Sequence, residues 1–140
     1  MKNGPVVVGV DGSQSSLDAV AAAAGEARLR GTELRVVHAF SWPVMPVPLG
    51  MPPLDPYDSG LQGRAERLVA QAVEHARVAE PGTKAVGDVV VGEPLAVLEA
   101  RSRDAALVVV GSRGLGGFGG LLLGSTAVHL SAYGRCPVMV

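Results

Sequence analysis

PVVVGVDGSQSSLDAVAAAAGEARLRG, residues 5–31, is the stretch that decides the fold. It opens on a continuous apolar run, 5–10, rich in β-branched valine, which suits a strand buried on both faces of a parallel sheet. The period then changes. Ser13 and Ser15 are good helix N-caps, Ser15 with Asp18 three residues on resembles a capping box, and Leu17, Ala21, Ala24 and Ala27 or Arg28 recur at helical spacing. Gly31 supplies a C-terminal stop. So many alanines would let this helix lie close on a sheet.

The strand-then-helix unit recurs along the chain. Residues 33–40, with Leu34, Val36 and Val37, read as a second strand, and Leu61, Ala65, Leu68, Ala72, Val73, Ala76 and Ala79 set a second helix that ends at Pro81-Gly82. Between them, 41–58 carries six prolines and no dependable period, so it reads as a long, partly apolar loop. A third strand, 84–91, contains Gly87, which marks a bulge or an edge position. Pro94 is suited to the first turn of a helix through about 103, with Leu95 and Leu98 inward, and 105–110 is a fourth apolar strand. Residues 125–133 read as a short helix and 137–140 as a last strand. Strands alternating with helices imply a doubly wound α/β domain, a five-stranded parallel sheet with helices on both faces joined by right-handed crossovers. In such sheets ligands bind outside the carboxyl ends of the strands, which singles out the turn at 11–13 and the segment from Gly111 onward.

Bulk properties narrow the function classes. A chain of 140 residues fits one domain, 1–140, and 48% hydrophobic composition is ample for its core. Twelve basic against thirteen acidic residues leave a net charge of −1, which removes the main driver of sequence-independent nucleic-acid binding and of attraction to anionic membranes. The single cysteine, Cys136, excludes an internal disulfide and fits a reducing cytoplasm. The expectation is a cytoplasmic protein without a signal peptide or membrane span, since the first apolar run is short and meets Asp11 at once.

The chemistry concentrates after the fourth strand, where Gly111-Ser112-Arg113-Gly114 precedes a nine-residue spacer and then Gly124-Ser125 opens a helix. Glycines admit a ligand close to the backbone, exposed amides in tight turns cradle anions, and a helix N-terminus adds unpaired N–H donors. Ser125 can cap its helix or donate to a phosphate oxygen, and Arg113 adds a positive charge. By physics alone the same residues also read as a glycine-rich surface loop with Ser125 as an ordinary cap.

Gly, two residues, Gly, nine residues, Gly-Ser resembles the nucleotide-binding signature of the universal stress protein family in its ATP-binding branch. The likeness extends to Val7-Val8-Gly9-Val10-Asp11-Gly12-Ser13, to Val90-Val91-Gly92-Glu93-Pro94 and to Arg135-Cys136-Pro137-Val138, and so covers almost the whole chain. It implies the strand order 3-2-1-4-5 and an adenine nucleotide, ATP with or without Mg²⁺, as ligand. It also implies a homodimer paired through the last strand. Residue by residue, Asp11 matches the acidic group on the nucleoside side, and Gly9, Val10 and Ser13 match neighbouring wall positions. Ala39 matches a position whose backbone reads the adenine edge. Val110 and Gly111 match the ribose side, and Arg113, Gly114, Gly124, Ser125 and Thr126 the phosphate side. This chain departs from the family at Ala106, where an acidic residue is common, and in a spacer that carries Gly116, Gly117, Gly119 and Gly120 without a basic residue.

Competing motifs fail on context. Gly114 to Gly119 satisfies G-x-G-x-x-G, but a dinucleotide fold needs a helix opening there and an acidic residue about 20 positions on, and no acidic residue follows Gly119; nor is there a Gly-Lys-Ser/Thr P-loop. Asp11-Gly12-Ser13 lacks a second aspartate for phosphotransfer, and Val91-Gly92 stands where a receiver domain would end its third strand on aspartate. His75 reads as solvated, His38 and His129 as core or helix-surface residues, and Cys136 as a small packed residue. The leading reading is a nucleotide-dependent stress-response module in which ATP binds without turnover. A slow ATP hydrolase and a nucleotide-free dimeric scaffold are the alternatives.

Overall fold

Val6, Val7 and Val8 are each at most 1% exposed, so the first strand is covered on both faces, as its unbroken valine run requires. In the computed structural model, which describes residues 4–40, 60–112 and 136–140, this strand is β1, Val6–Gly9. After it come α1, Gln14–Arg30, and β2, Leu34–Phe40; then α2, Leu61–Ala79, and β3, Ala85–Val91. The remaining described elements are α3, Pro94–Ser102, β4, Leu107–Val109, and β5, Val138–Met139. The sheet is parallel, in the order β3-β2-β1-β4-β5. The proline-rich 41–58 stretch, the glycine spacer and the 125–133 helix expected from sequence lie outside the described residues.

Alternation along the strands sorts the core into two layers. Val6, Val8, Leu34, Val36, Leu107 and Val109 pack under α1 and α2, whereas Val7, Val37, Val108 and Val110 pack under Leu98 of α3. Helices therefore cover both faces. Each fully buried valine contributes roughly 1.5–3 kcal/mol, which is why the strands need no polar partner beyond their backbone ladder.

Two local expectations are corrected. Ser13, in extended conformation, is the N-cap of α1 and accepts the Ser16 N–H at 3.1 Å; Ser15 lies inside the helix, and Asp18 instead accepts from Gln14. The Ser15–Asp18 box does not form, because the helix starts two residues earlier. The buried stripe of α1 is Ser16, Ala19, Val20, Ala23, Ala24 and Ala27, which shares only Ala24 and Ala27 with the stripe read from sequence. A helix with alanine on nearly every side has little polarity to choose its own face.

Gly87 sits on the edge strand β3, in unbroken register opposite Val36, so it marks an edge and not a bulge. Its role is close approach: a β-carbon there would stand 2.3 Å from Val69 Cγ1 of α2. On the opposite, α3 face, Arg35 lies between Glu33 at 2.9 Å and Asp88 at 3.6 Å, and Asp88 also takes Arg101 of α3 at 3.0 Å. The hydrogen bond that Arg35 donates to the Glu33 carboxylate, chiefly, raises the Arg35 pKa above its already high ordinary value. These pairs are part-exposed and each is worth only about 0–1 kcal/mol, but together they seat α3 over the sheet.

Candidate functional site

β1 is flanked by β2 on one side and β4 on the other, and the chain turns from one flank to the other between β3 and β4. A parallel sheet opens a crevice at such a reversal, outside the carboxyl ends of its strands. A cleft lies there. Its floor is Gly9, Val10 and Asp11 at the end of β1, with Val110 and Gly111 at the end of β4; Val37 and Ala39 of β2 and Pro94 and Leu98 of α3 form the walls, and Ser16 closes it at the start of α1. The cavity, about 100 Å³, is several times the roughly 10–15 Å³ that one water requires, so it admits a ring-sized group.

Each wall has a local cause. Val37 and Ala39 share a strand face by two-residue alternation, and Pro94 and Leu98 share a helix face by four-residue spacing. Gly9 lets α3 approach closely, since a β-carbon there would stand 2.8 Å from Leu98 Cδ1. Gly12, at φ +88°, makes the turn from β1 into α1 in a conformation that a side chain would strain.

Among the described residues lining the cleft, the half-buried Asp11 supplies the charged group. Its Oδ1 accepts the Ser13 N–H at 2.9 Å, a local turn that fixes the side chain at the start of α1. The Ser16 hydroxyl donates back to the Ser13 carbonyl at 2.9 Å. The cleft thus combines apolar walls with a fixed acceptor, a chemistry suited to a flat ring carrying polar substituents and a hydroxylated sugar. Among the described residues, no group of three or more His, Cys, Asp or Glu side chains is placed to hold a metal ion, and no helix is long and apolar enough to cross a membrane.

Of the residues singled out from sequence, Gly9, Val10, Asp11, Ala39, Val110 and Gly111 come together around this cleft. Ser13 does not line it; its hydroxyl is taken up in capping α1. Arg113, Gly114, Gly124, Ser125 and Thr126 lie outside the described residues, as does His129. Ser16, Val37, Pro94 and Leu98 were not foreseen as walls, although strand alternation from Ala39 and the helical spacing from Pro94 carry the signal. His75 is half-buried on α2, and Cys136 packs, half-buried, against the α3-side core. His38 belongs to neither class expected of it, being a half-buried strand residue.

A model of the universal stress protein family matches residues 2–140. The chain belongs to that family. Among relatives of this family member, universal stress protein Rv2623 of Mycobacterium tuberculosis is 37% identical over 142 residues, covering 97% of this chain and 44% of its own length. The chain spans about half the length of the curated relatives it matches. Among solved structures, a universal stress protein in complex with cAMP is 27% identical with a TM-score of 0.74, covering 99% of this chain and 96% of its own. The universal stress protein from Archaeoglobus fulgidus in complex with dAMP is also 27% identical, with a TM-score of 0.69, covering 99% and 98%.

Proposed function

We propose that this family member binds an adenine nucleotide, ATP with or without Mg²⁺, in the cleft between the ends of β1, β2 and β4, as a regulatory ligand. The observation that carries the reading is the convergence of Gly9, Val10, Asp11, Ala39, Val110 and Gly111 from three strands on one ring-sized, apolar cavity with an acidic rim. An adenine ring matches the apolar walls, ribose hydroxyls match the Asp11 acceptor, and phosphates would extend past Gly111 toward Arg113, Gly114, Gly124, Ser125 and Thr126. The two relatives solved with cAMP and dAMP support an adenine-bearing ligand. When bound, Mg²⁺ would shield phosphate charge that Arg113 alone cannot neutralise.

Denaturing the purified chain and identifying any released nucleotide by chromatography and mass tests the reading, with calorimetric titration of the emptied protein by ATP. Heat of binding and a retained adenine nucleotide are expected; silence in both sinks the proposal. Replacing Gly124 with valine is expected to abolish ATP binding and leave the sheet folded.

The same reading has two copies pairing through β5, which ends the sheet and leaves Val140 48% exposed. Light scattering is expected to give twice the chain mass.

A further inference from the structure

The β1–β2 ladder stops one rung short of where the two strands could still pair. The Val10 N–H donates to the Val37 carbonyl at 2.9 Å, but the register ends at Gly9 opposite Val37. The next rung of a parallel ladder would run from the Ala39 N–H to the Val10 carbonyl. Instead the Val10 carbonyl accepts from His38 Nδ1–H at 2.8 Å. The imidazole itself is held by stacking on Phe40, with ring centroids 6.1 Å apart and planes 10° from parallel.

The consequence falls on Ala39. Leu34 N–H bonds Lys84 on the β3 side while the Val37 carbonyl faces β1, so by alternation the N–H and C=O of Ala39 also face β1. Ala39 lines the cleft, and among the described residues no hydrogen bond takes its N–H. A backbone donor at the wall of an apolar cavity needs a partner.

We propose that His38 is a positioning residue for base recognition: by occupying the Val10 carbonyl from the α1–α2 face of the sheet, it keeps the last rung open and leaves the Ala39 N–H to a ring nitrogen of the bound base. This rests on the nucleotide reading above. Without the imidazole donor, the Val10 carbonyl is free to accept the Ala39 N–H, the rung closes, and the base loses its partner.

The test pairs protein variants with ligand variants, because a merely structural role for His38 would weaken all ligands alike. Wild type, His38→Phe and His38→Asn are titrated with ATP and with 1-, 3- and 7-deaza-ATP, each lacking one ring nitrogen. Wild type should bind one deaza analogue roughly tenfold more weakly than ATP, the usual scale for a buried donor left unsatisfied. In His38→Phe, which keeps a ring but no donor, ATP should weaken by a similar factor and the discrimination should vanish. In His38→Asn, whose side-chain amide can donate from the place of Nδ1, the discrimination should return. Undiminished discrimination in His38→Phe, or none in wild type, overturns the inference.

Should His38→Phe not fold, amide hydrogen exchange on wild type decides. The Ala39 amide is expected to exchange fast in the free protein and to be protected by ATP; protection in the free protein overturns the open rung. A wild type that binds no adenine nucleotide overturns the nucleotide reading instead, and this assignment with it.

Discussion

Gly111, two residues beyond the end of β4, is pressed against Ser15 in the first turn of α1: a β-carbon on Gly111 would stand 2.5 Å from the Ser15 hydroxyl oxygen and 2.9 Å from its carbonyl carbon and oxygen. Backbone cannot yield as a side-chain tip can. The contact ties the end of β4 to the start of the helix that follows β1, and so fixes two sides of the cleft against each other. Gly111→Ala is expected to lower stability by about 1–3 kcal/mol, the scale of overpacking, and to weaken ATP binding by moving α1 away from the floor. Urea unfolding and calorimetry on the same variant check both. A variant as stable as wild type would falsify the contact.

Asp11 separates fold from ligand in a single atom. Asn can still accept the Ser13 N–H that Oδ1 now takes at 2.9 Å, so Asp11→Asn should lose only about 0.3–1 kcal/mol of helix-terminus stabilisation. Nucleotide affinity should fall more, by roughly tenfold or beyond, because hydrogen bonds to a charged acceptor are the stronger ones. Equal affinity with Asn would remove the carboxylate from the site.

Gly9 and Leu98 are expected to be coupled. Gly9→Ala places a β-carbon 2.8 Å from Leu98 Cδ1, the mobile end of a side chain that is itself 4% exposed. Leu98→Ala alone should cost about 2–5 kcal/mol as a buried truncation. The double variant should be more stable than the sum of the single losses implies, since the truncated side chain no longer collides with the new methyl group. Strict additivity in thermal unfolding would argue against the close approach.

Ser13→Ala should destabilise α1 by about 1 kcal/mol through loss of the cap on the Ser16 N–H, whereas Ser15→Ala should be nearly neutral to capping. Chemical denaturation of the two variants side by side distinguishes them. A larger loss at Ser15 would move the start of the helix.

Much of the layout could be read in advance because it is written in short-range signals. Valine runs bounded by glycine and proline mark the strands, and Pro94 and Gly31 punctuate helices by backbone chemistry that acts within a few residues. Short-range signals do not fix the start of α1, since Ser13 and Ser15 are chemically equivalent caps and only the turn built on Asp11 and Gly12 selects the first.

The amino-acid order by itself thus determined the alternation of elements and the residues at the strand ends, because periodicity and turn chemistry are local. Three-dimensional packing decided which face of an alanine-rich α1 is buried and that Val37, Pro94 and Leu98 complete the cleft. It also decided that His38 bonds Val10 across 28 positions in the chain. Those outcomes depend on the distance between segments far apart in sequence, a quantity that exists only once the sheet has assembled.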